Sequence, residues 1–264
     1  MQRISKPRMN SPLTLALLIV LVIGLAVISN LLEEPIAEAE EPDVAEEIAP
    51  HVVFVVGPLE VTTTIVNSWV MMLLLSVGTY LIGRNLKPRP GLVQNILEWI
   101  VEAIEKLIRE MVGVQDTATF LPVVGTLAIF IGTSNLIGLL PGLTSPTPDI
   151  NTPLAMAIVV FFSVPYFGIR MRGVWNYLKH YVEPIFLMLP IEIASEIART
   201  FSLTFRLFGN ILGEEIIISI LFIVMPLFVP VPMMLFSIFT GLLQAYIFTL
   251  LTCVYIGGAI KAHH

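Results

Sequence analysis

The sequence predicts an all-α integral membrane protein, and three observations predict it. Of the 264 residues 56% are hydrophobic and only 13% charged, with a mean hydropathy of +0.89, too little polar surface to coat a water-soluble globule. The apolar residues gather in runs long enough for a bilayer, which needs about 20 residues per crossing helix. Of the fourteen Lys and Arg, all but Arg199 and Arg206 lie outside the spanning runs.

In chain order, the first apolar run is Leu13 to Ile28, after Arg3, Lys6 and Arg8. The small-residue stretch Ala37-Glu38-Ala39 follows it, so a retained anchor helix and a cleaved signal both fit. Residues 1–30 form this basic N-terminus and hydrophobic helix. Residues 31–60 form an acidic extracytoplasmic segment, since eight of the twenty carboxylates fall between Glu33 and Glu47. That segment accounts for the formal charge of −6 and is expected to be solvated. Residues 61–264 form the core.

Within the core, Val61 to Ile82 reads as a span closed by Arg84, Lys87, Pro88, Arg89 and Pro90, a basic turn that cannot continue a helix. From Val93 to Val112, Ile96, Leu97, Ile100, Ile104, Leu107, Ile108 and Met111 recur at helical spacing against Glu98, Glu102, Glu105, Lys106 and Arg109. That pattern predicts an amphipathic helix lying in the membrane interface. Phe120 to Leu140 and Pro153 to Ile169 are further spans, separated by a polar loop containing Asp149. An interfacial stretch, Val174 to Tyr181, precedes the last two apolar runs, Ile185 to Met225 and Met233 to Ile260. The basic residues assign the N-terminus, the 84–112 and 170–179 segments and Lys261 to the cytoplasmic side, so the C-terminus is cytoplasmic.

Arg199 and Arg206 lie inside a run, where an arginine costs about 2.5–3.5 kcal/mol on insertion scales unless it faces water or a carboxylate. At about 100° per residue, Glu192, Ser195, Arg199, Ser202, Arg206 and Asn210 share one stripe. One face of this helix is therefore wet. A helix over Ile185–Met225 would be roughly 60 Å long, twice the hydrocarbon core, so it must tilt strongly or bend, with Gly209 and Gly213 the natural places for a bend. The last run has its own polar stripe, Ser237, Thr240 and Gln244, and two tilted helices with facing polar stripes would make a path for ions.

The segment Ser202-Leu-Thr-Phe-Arg206-Leu-Phe-Gly209-Asn210 resembles the SLxxRLFGN signature of the ATP synthase subunit a family. Ser134-Asn135-Leu-Ile-Gly138-Leu-Leu-Pro141-Gly142 is similar to its SNLLGLIPG segment, Asp149-Ile-Asn151-Thr to its following loop, and Leu243-Gln244-Ala245-Tyr-Ile-Phe248 to its LQAFIF segment. In order and spacing the likeness runs from about Val61 to the C-terminus. It implies five core membrane helices, two of them a long tilted hairpin against a rotating ring of c subunits, in the inner (plasma) membrane of a prokaryote.

By that resemblance Arg206 matches the essential arginine that attracts each ring carboxylate and separates two offset half-channels. Glu192, Asn210, Glu215 and Gln244 match positions that line those half-channels or support the arginine. Glu214 is a departure, since the family usually has a small residue there. The supporting stripe is Ser195, Arg199, Ser202, Ser237 and Thr240. The implied partners are the c ring, the b subunits of the peripheral stalk, other synthase subunits and lipid, with no nucleic acid and no cofactor. The coupling ion, proton or Na⁺, is set by ligands on the ring and stays open.

Other function classes fit less well. A secondary ion-coupled transporter would also place charges in broken helices, but no repeated halves are visible. No Walker loop, HExxH, GxSxG or redox cysteine pair occurs, which argues against catalysis on this chain. Cys253 is the only cysteine, and no histidine has metal-ligand spacing.

Overall fold

The computed structural model describes residues 52–56, 59–84, 86, 91–139, 145–177, 188–224 and 230–261. The elements are two strands, β1 (Val52–Val56) and β2 (Leu59–Thr62), and six helices: α1 (Thr63–Arg84), α2 (Leu92–Val112), α3 (Leu121–Ile137), α4 (Asn151–Arg172), α5 (Met188–Val224) and α6 (Pro230–Lys261). The predicted N-terminal hydrophobic helix, most of the acidic segment and the basic turn at 87–90 lie outside the described residues. The described chain is largely helical, as predicted: α1, α4, α5 and α6 are long and apolar enough to cross a bilayer, and α3 is a shorter apolar helix of 17 residues.

The small antiparallel hairpin β1–β2 is an addition to the predicted all-α architecture. Its register pairs Val52 with Thr62 and Val56 with Leu59, with an irregularity between Val52 and Phe54. The signals for it were present: a β-branched run, Val52-Val-Phe-Val-Val56, then the turn-forming dipeptide Gly57-Pro58 and the alternating Leu59-Glu-Val-Thr62. The span predicted from Val61 therefore starts as a helix only at Thr63.

Helix α6 is the hub of the bundle, packing against α2, α3, α4 and α5. In lipid there is little hydrophobic drive between apolar helices, so close approach depends on small residues and interhelical hydrogen bonds. Gly241 of α6 lets Asn135 of α3 come in close: a Cβ on residue 241 would stand 3.0 Å from the Asn135 Cβ. Near the other end, a Cβ on Gly257 would sit 2.7 Å from the Met111 carbonyl oxygen. The core between them holds Phe248, Cys253 and Ile256 of α6 with Ile108 and Val112 of α2 and Ile131 of α3.

The amphipathic helix forms where the periodicity put it. Ile104, Leu107, Ile108 and Val112 are buried against the bundle, while Leu92, Ile96 and Trp99 at its start are exposed. Gly113 ends it in a left-handed conformation, φ 78°, with its N–H on the Arg109 carbonyl. The Lys261 side chain lies over Gly113, where any Cβ would collide with it, and its amine donates to the Met111 carbonyl at 3.1 Å. That places a cation at the negative end of the α2 dipole.

Helix α5 is continuous over 37 residues, through Gly209 and Gly213, so the chain does not break at either glycine. At about 1.5 Å per residue it is roughly 55 Å long, and it cannot stand upright in a hydrocarbon core of about 30 Å.

Candidate functional site

The arginine stripe lies at the edge of the packed face of α5. Leu203, Thr204, Leu207, Ile211 and Glu214 are buried toward the other helices, whereas Phe201, Ser202, Phe205, Arg206 and Gly209 are exposed. Arg206 has neither an ion pair nor a hydrogen bond among the described residues. Pairing within α5 is also excluded by reach. Glu192 lies 14 residues away, about 21 Å along the axis, and Glu215 projects from the opposite side of the helix. Nothing lies within 4 Å of where a Cβ would stand on Gly209 or Gly213, so the surface beside Arg206 is open.

Seven residues earlier the same stripe is closed. Arg199 stands 3.7 Å from Glu192 and its guanidinium lies 5.6 Å from the centre of the Tyr255 ring on α6. Glu196, Arg199, Thr200 and Tyr255 line a cleft between α4, α5 and α6 with Val160 and Val164. Ser195 is half-buried on the same edge.

The predicted polar stripes of α5 and α6 do not simply face one another. Ser202 and Arg206 point outward, but Ser237 and Gln244 are buried, and Gly241 between them lies against Asn135 of α3. Asn135 donates to the Gly241 carbonyl at 3.0 Å and accepts from Thr147 at 3.2 Å. Thr240 turns its hydroxyl back onto the carbonyls of Phe236 and Ser237.

Among the described residues, four buried polar atoms on three helices have no partner: Ser134 Oγ on α3, Glu215 Oε2 on α5, and Ser237 Oγ and Gln244 Nε2 on α6. An unpaired buried polar atom costs about 1–3 kcal/mol, so atoms of this kind call for water or a translocated ion. Glu214 differs: it is only 9% exposed and its Oε1 accepts from Asn210 Nδ2 at 2.9 Å.

A second polar cluster was only partly legible. Asp149, 7% exposed, accepts from Thr64 Oγ1 at 2.6 Å, Thr62 Oγ1 at 3.4 Å, and both the backbone N–H and the side-chain amide of Asn151 at 3.0 and 2.9 Å. It ties the junction of β2 and α1 to the start of α4. The Asp-x-Asn pattern signals the local turn. Nothing in the sequence signals the bonds to the two threonines more than 80 residues earlier.

The family model described as ATP synthase A chain matches residues 65–257. The chain is 46% identical over 207 residues to ATP synthase subunit a 2 of a Bradyrhizobium species, covering 78% of this chain and 92% of that one. It is 44% identical to ATP synthase subunit a 2 of Pelobacter propionicus, over 79% of this chain and 91% of that one. It is also 38% identical to ATP synthase subunit a of Moorella thermoacetica, over 82% of this chain and 99% of that one. With its apolar helices and its arginine-bearing α5, the chain belongs to the ATP synthase subunit a family of multi-pass membrane proteins.

Proposed function

We propose that this protein is the stationary ion-translocating subunit of a rotary F-type ATP synthase in a prokaryotic plasma membrane. Its core, residues 61–264, has five membrane helices, α1, α3, α4, α5 and α6, with α2 in the interface and the C-terminus cytoplasmic. Residues 1–30 precede it as a hydrophobic anchor or signal, and residues 31–60 lie outside the cell. ATP chemistry takes place on other subunits. The partners are the c ring, the b subunits of the peripheral stalk and lipid.

One observation carries this reading: Arg206 is an exposed cation in the middle of a long apolar helix, without a partner among the described residues. A charge at that depth is tolerated when it meets a carboxylate or water, and an exposed arginine without a partner among the described residues suits a carboxylate brought to it by another chain. The open surface at Gly209 and Gly213 supports close approach of a neighbouring helix. Low dielectric strengthens the pairing with a ring carboxylate, and rotation of the ring makes it transient.

Ions reach the ring through two offset half-channels. The unpartnered Glu215, Ser237 and Gln244 support one water-filled path, and Glu192 with Ser195 and Ser202 supports the other, with Asn210 beside the arginine. An ion entering by one path neutralises a ring carboxylate, the ring turns through lipid, and the ion leaves by the other. Arg206 blocks direct flow between them.

The test is ATP-driven ion pumping and ATP synthesis in vesicles carrying the assembled complex with Arg206→Ala. Loss of both activities in a complex that still assembles is the expected result. Retained coupled pumping would remove the gate assignment. Recovery of the protein without other synthase subunits, still transporting ions, would favour a lone secondary transporter instead.

A further inference from the structure

Helix α4 has two contrasting faces. Met156, Ala157, Val160, Val164 and Phe167 are buried on the side that packs against α5 and α6. On the other side Ile158, Phe162, Tyr166 and Arg170 recur every four residues as one exposed ridge, with Phe162 64% exposed. An apolar ridge alone is ordinary lipid-facing surface, but this one ends in a cation held in a definite orientation.

Arg170 Nη1 donates to Tyr166 Oη at 3.0 Å, one turn back along α4. An arginine that only snorkels extends its head into water. Here the bond draws the guanidinium back over the ridge. The phenol is neutral, so it orients the cation without cancelling its charge, and its own hydrogen can still be donated to an incoming oxygen. The other guanidinium donors form a planar fork that suits two oxygens of a phosphate.

Beyond the helix, Gly173 takes φ 81° and redirects the chain. Tyr177 is buried with its ring over Gly168, where a Cβ would collide with it. Trp175, two residues earlier, is turned the other way and is 80% exposed. Exposed tyrosine and tryptophan at a helix end settle at the level of lipid headgroups. A membrane helix of another subunit fits this ridge less well, because close helix approach needs small residues and the ridge presents Phe162 and Tyr166.

We propose that the outer face of α4 binds an anionic phospholipid, with the phosphate on Arg170 and Tyr166 and an acyl chain along Phe162 and Ile158. A zwitterionic lipid carries its own ammonium, which competes with Arg170 for the phosphate, so a headgroup of net negative charge is preferred. The ridge is separate from the arginine stripe of α5, and binding there does not depend on the ion-translocating reading.

The experiment uses the whole complex carrying Phe162→Trp as a reporter on the ridge, in phosphatidylcholine vesicles. Phosphatidylglycerol or phosphatidylcholine with brominated acyl chains is titrated in, and bromine quenches an indole only at close range. Quenching beyond that of the complex with Phe162 reports the lipid seated on the ridge. Brominated phosphatidylglycerol should act at a mole fraction about fivefold lower than brominated phosphatidylcholine, the preference that one arginine near the surface gives an anionic lipid. Arg170→Gln should abolish that preference, and Arg170→Lys, which keeps the charge without the fork, should retain part of it. Tyr166→Phe should reduce it about twofold through the lost hydroxyl. That change deletes one exposed atom, so it keeps the comparison informative where an Arg170 variant does not assemble.

Equal quenching by the two lipids would overturn the proposal, as would a preference unchanged in either Arg170→Gln or Tyr166→Phe. Loss of the preference on adding excess inorganic phosphate at constant ionic strength would mark a site for free phosphate instead. Absence of quenching by both lipids would mean that another subunit covers the ridge, and the lipid assignment would fall.

Discussion

Two stretches of the same apolar helix handle an arginine in opposite ways. Around Arg199, the guanidinium finds Glu192 on its own helix and the face of Tyr255 on α6. Around Arg206, seven residues on and on the same edge, the guanidinium is exposed and finds nothing among the described residues. Composition and periodicity treat the two arginines alike. Their surroundings separate a charge with neighbours inside the fold from one with none among the described residues.

The sharpest way to break this contrast is to exchange the fates of the two arginines. Arg206→Ala is expected to reduce coupled pumping and ATP synthesis to background while the complex still assembles, since Arg206 makes no ion pair or hydrogen bond among the described residues. Arg206→Lys keeps a charge but not the planar fork of donors and should recover little. An Arg206→Ala complex that failed to assemble would place this arginine with Arg199, as a packing residue.

A smaller effect is expected from the unpaired atoms. Gln244→Leu replaces a buried amide, whose nitrogen has no partner among the described residues, with a slightly smaller apolar group. Losing a polar atom that is unsatisfied costs the fold little, and it can even stabilise it. Passive conduction should nevertheless drop several-fold as the path loses a water-binding group. Conduction at the parental rate in Gln244→Leu would mean that ions do not pass this side chain.

The third effect is on assembly and leaves conduction alone. Asp149→Ala strands the donors of Thr64 and Asn151 and should cost about 1–3 kcal/mol. Helix α1 has only Ser68 and Met71 buried, so the Asp149 bonds carry much of its attachment. Thermal dissociation of α1, read as protease access to the 84–91 turn, should begin at lower temperature. Unchanged protease access would show that lipid alone holds α1 in place.

How much of this could be read from the sequence depends on the range of the interaction. The amphipathic helix α2, the apolar helices of the described core and the arginine stripe follow from local spacing, and they appear where that spacing put them. The junctions do not follow from spacing: Asp149 to Thr64, Asn135 to Gly241 and Arg199 to Tyr255 each join residues far apart in the chain. Periodicity marks which face of a helix is polar, but it cannot tell which neighbour that face will meet. For the same reason the stripe on α6 could be named from spacing, but not the contact of Asn135 of α3 with Gly241 in its middle. The hairpin β1–β2 was missed for a different reason, since its β-branched residues merge into the apolar run that follows.

The smallest effect, and the one that completes the comparison, belongs to Arg199→Gln. Its pair with Glu192 is long, 3.7 Å, and both side chains are more than a third exposed, so the ion pair contributes at most about 1 kcal/mol. The contact with Tyr255 adds about as much again. Gln cannot make either interaction, but it leaves a polar group on the wet edge of α5. The melting temperature of the complex should fall by a few degrees, and pumping should stay within about threefold of the parent, since a loss of about 0.65 kcal/mol is a factor of three. Tyr255→Phe, which keeps the aromatic face, should be milder still, and Tyr255→Leu should match Arg199→Gln. If Arg199→Gln stopped pumping as completely as Arg206→Ala, an internal partner would no longer distinguish a structural arginine from a working one.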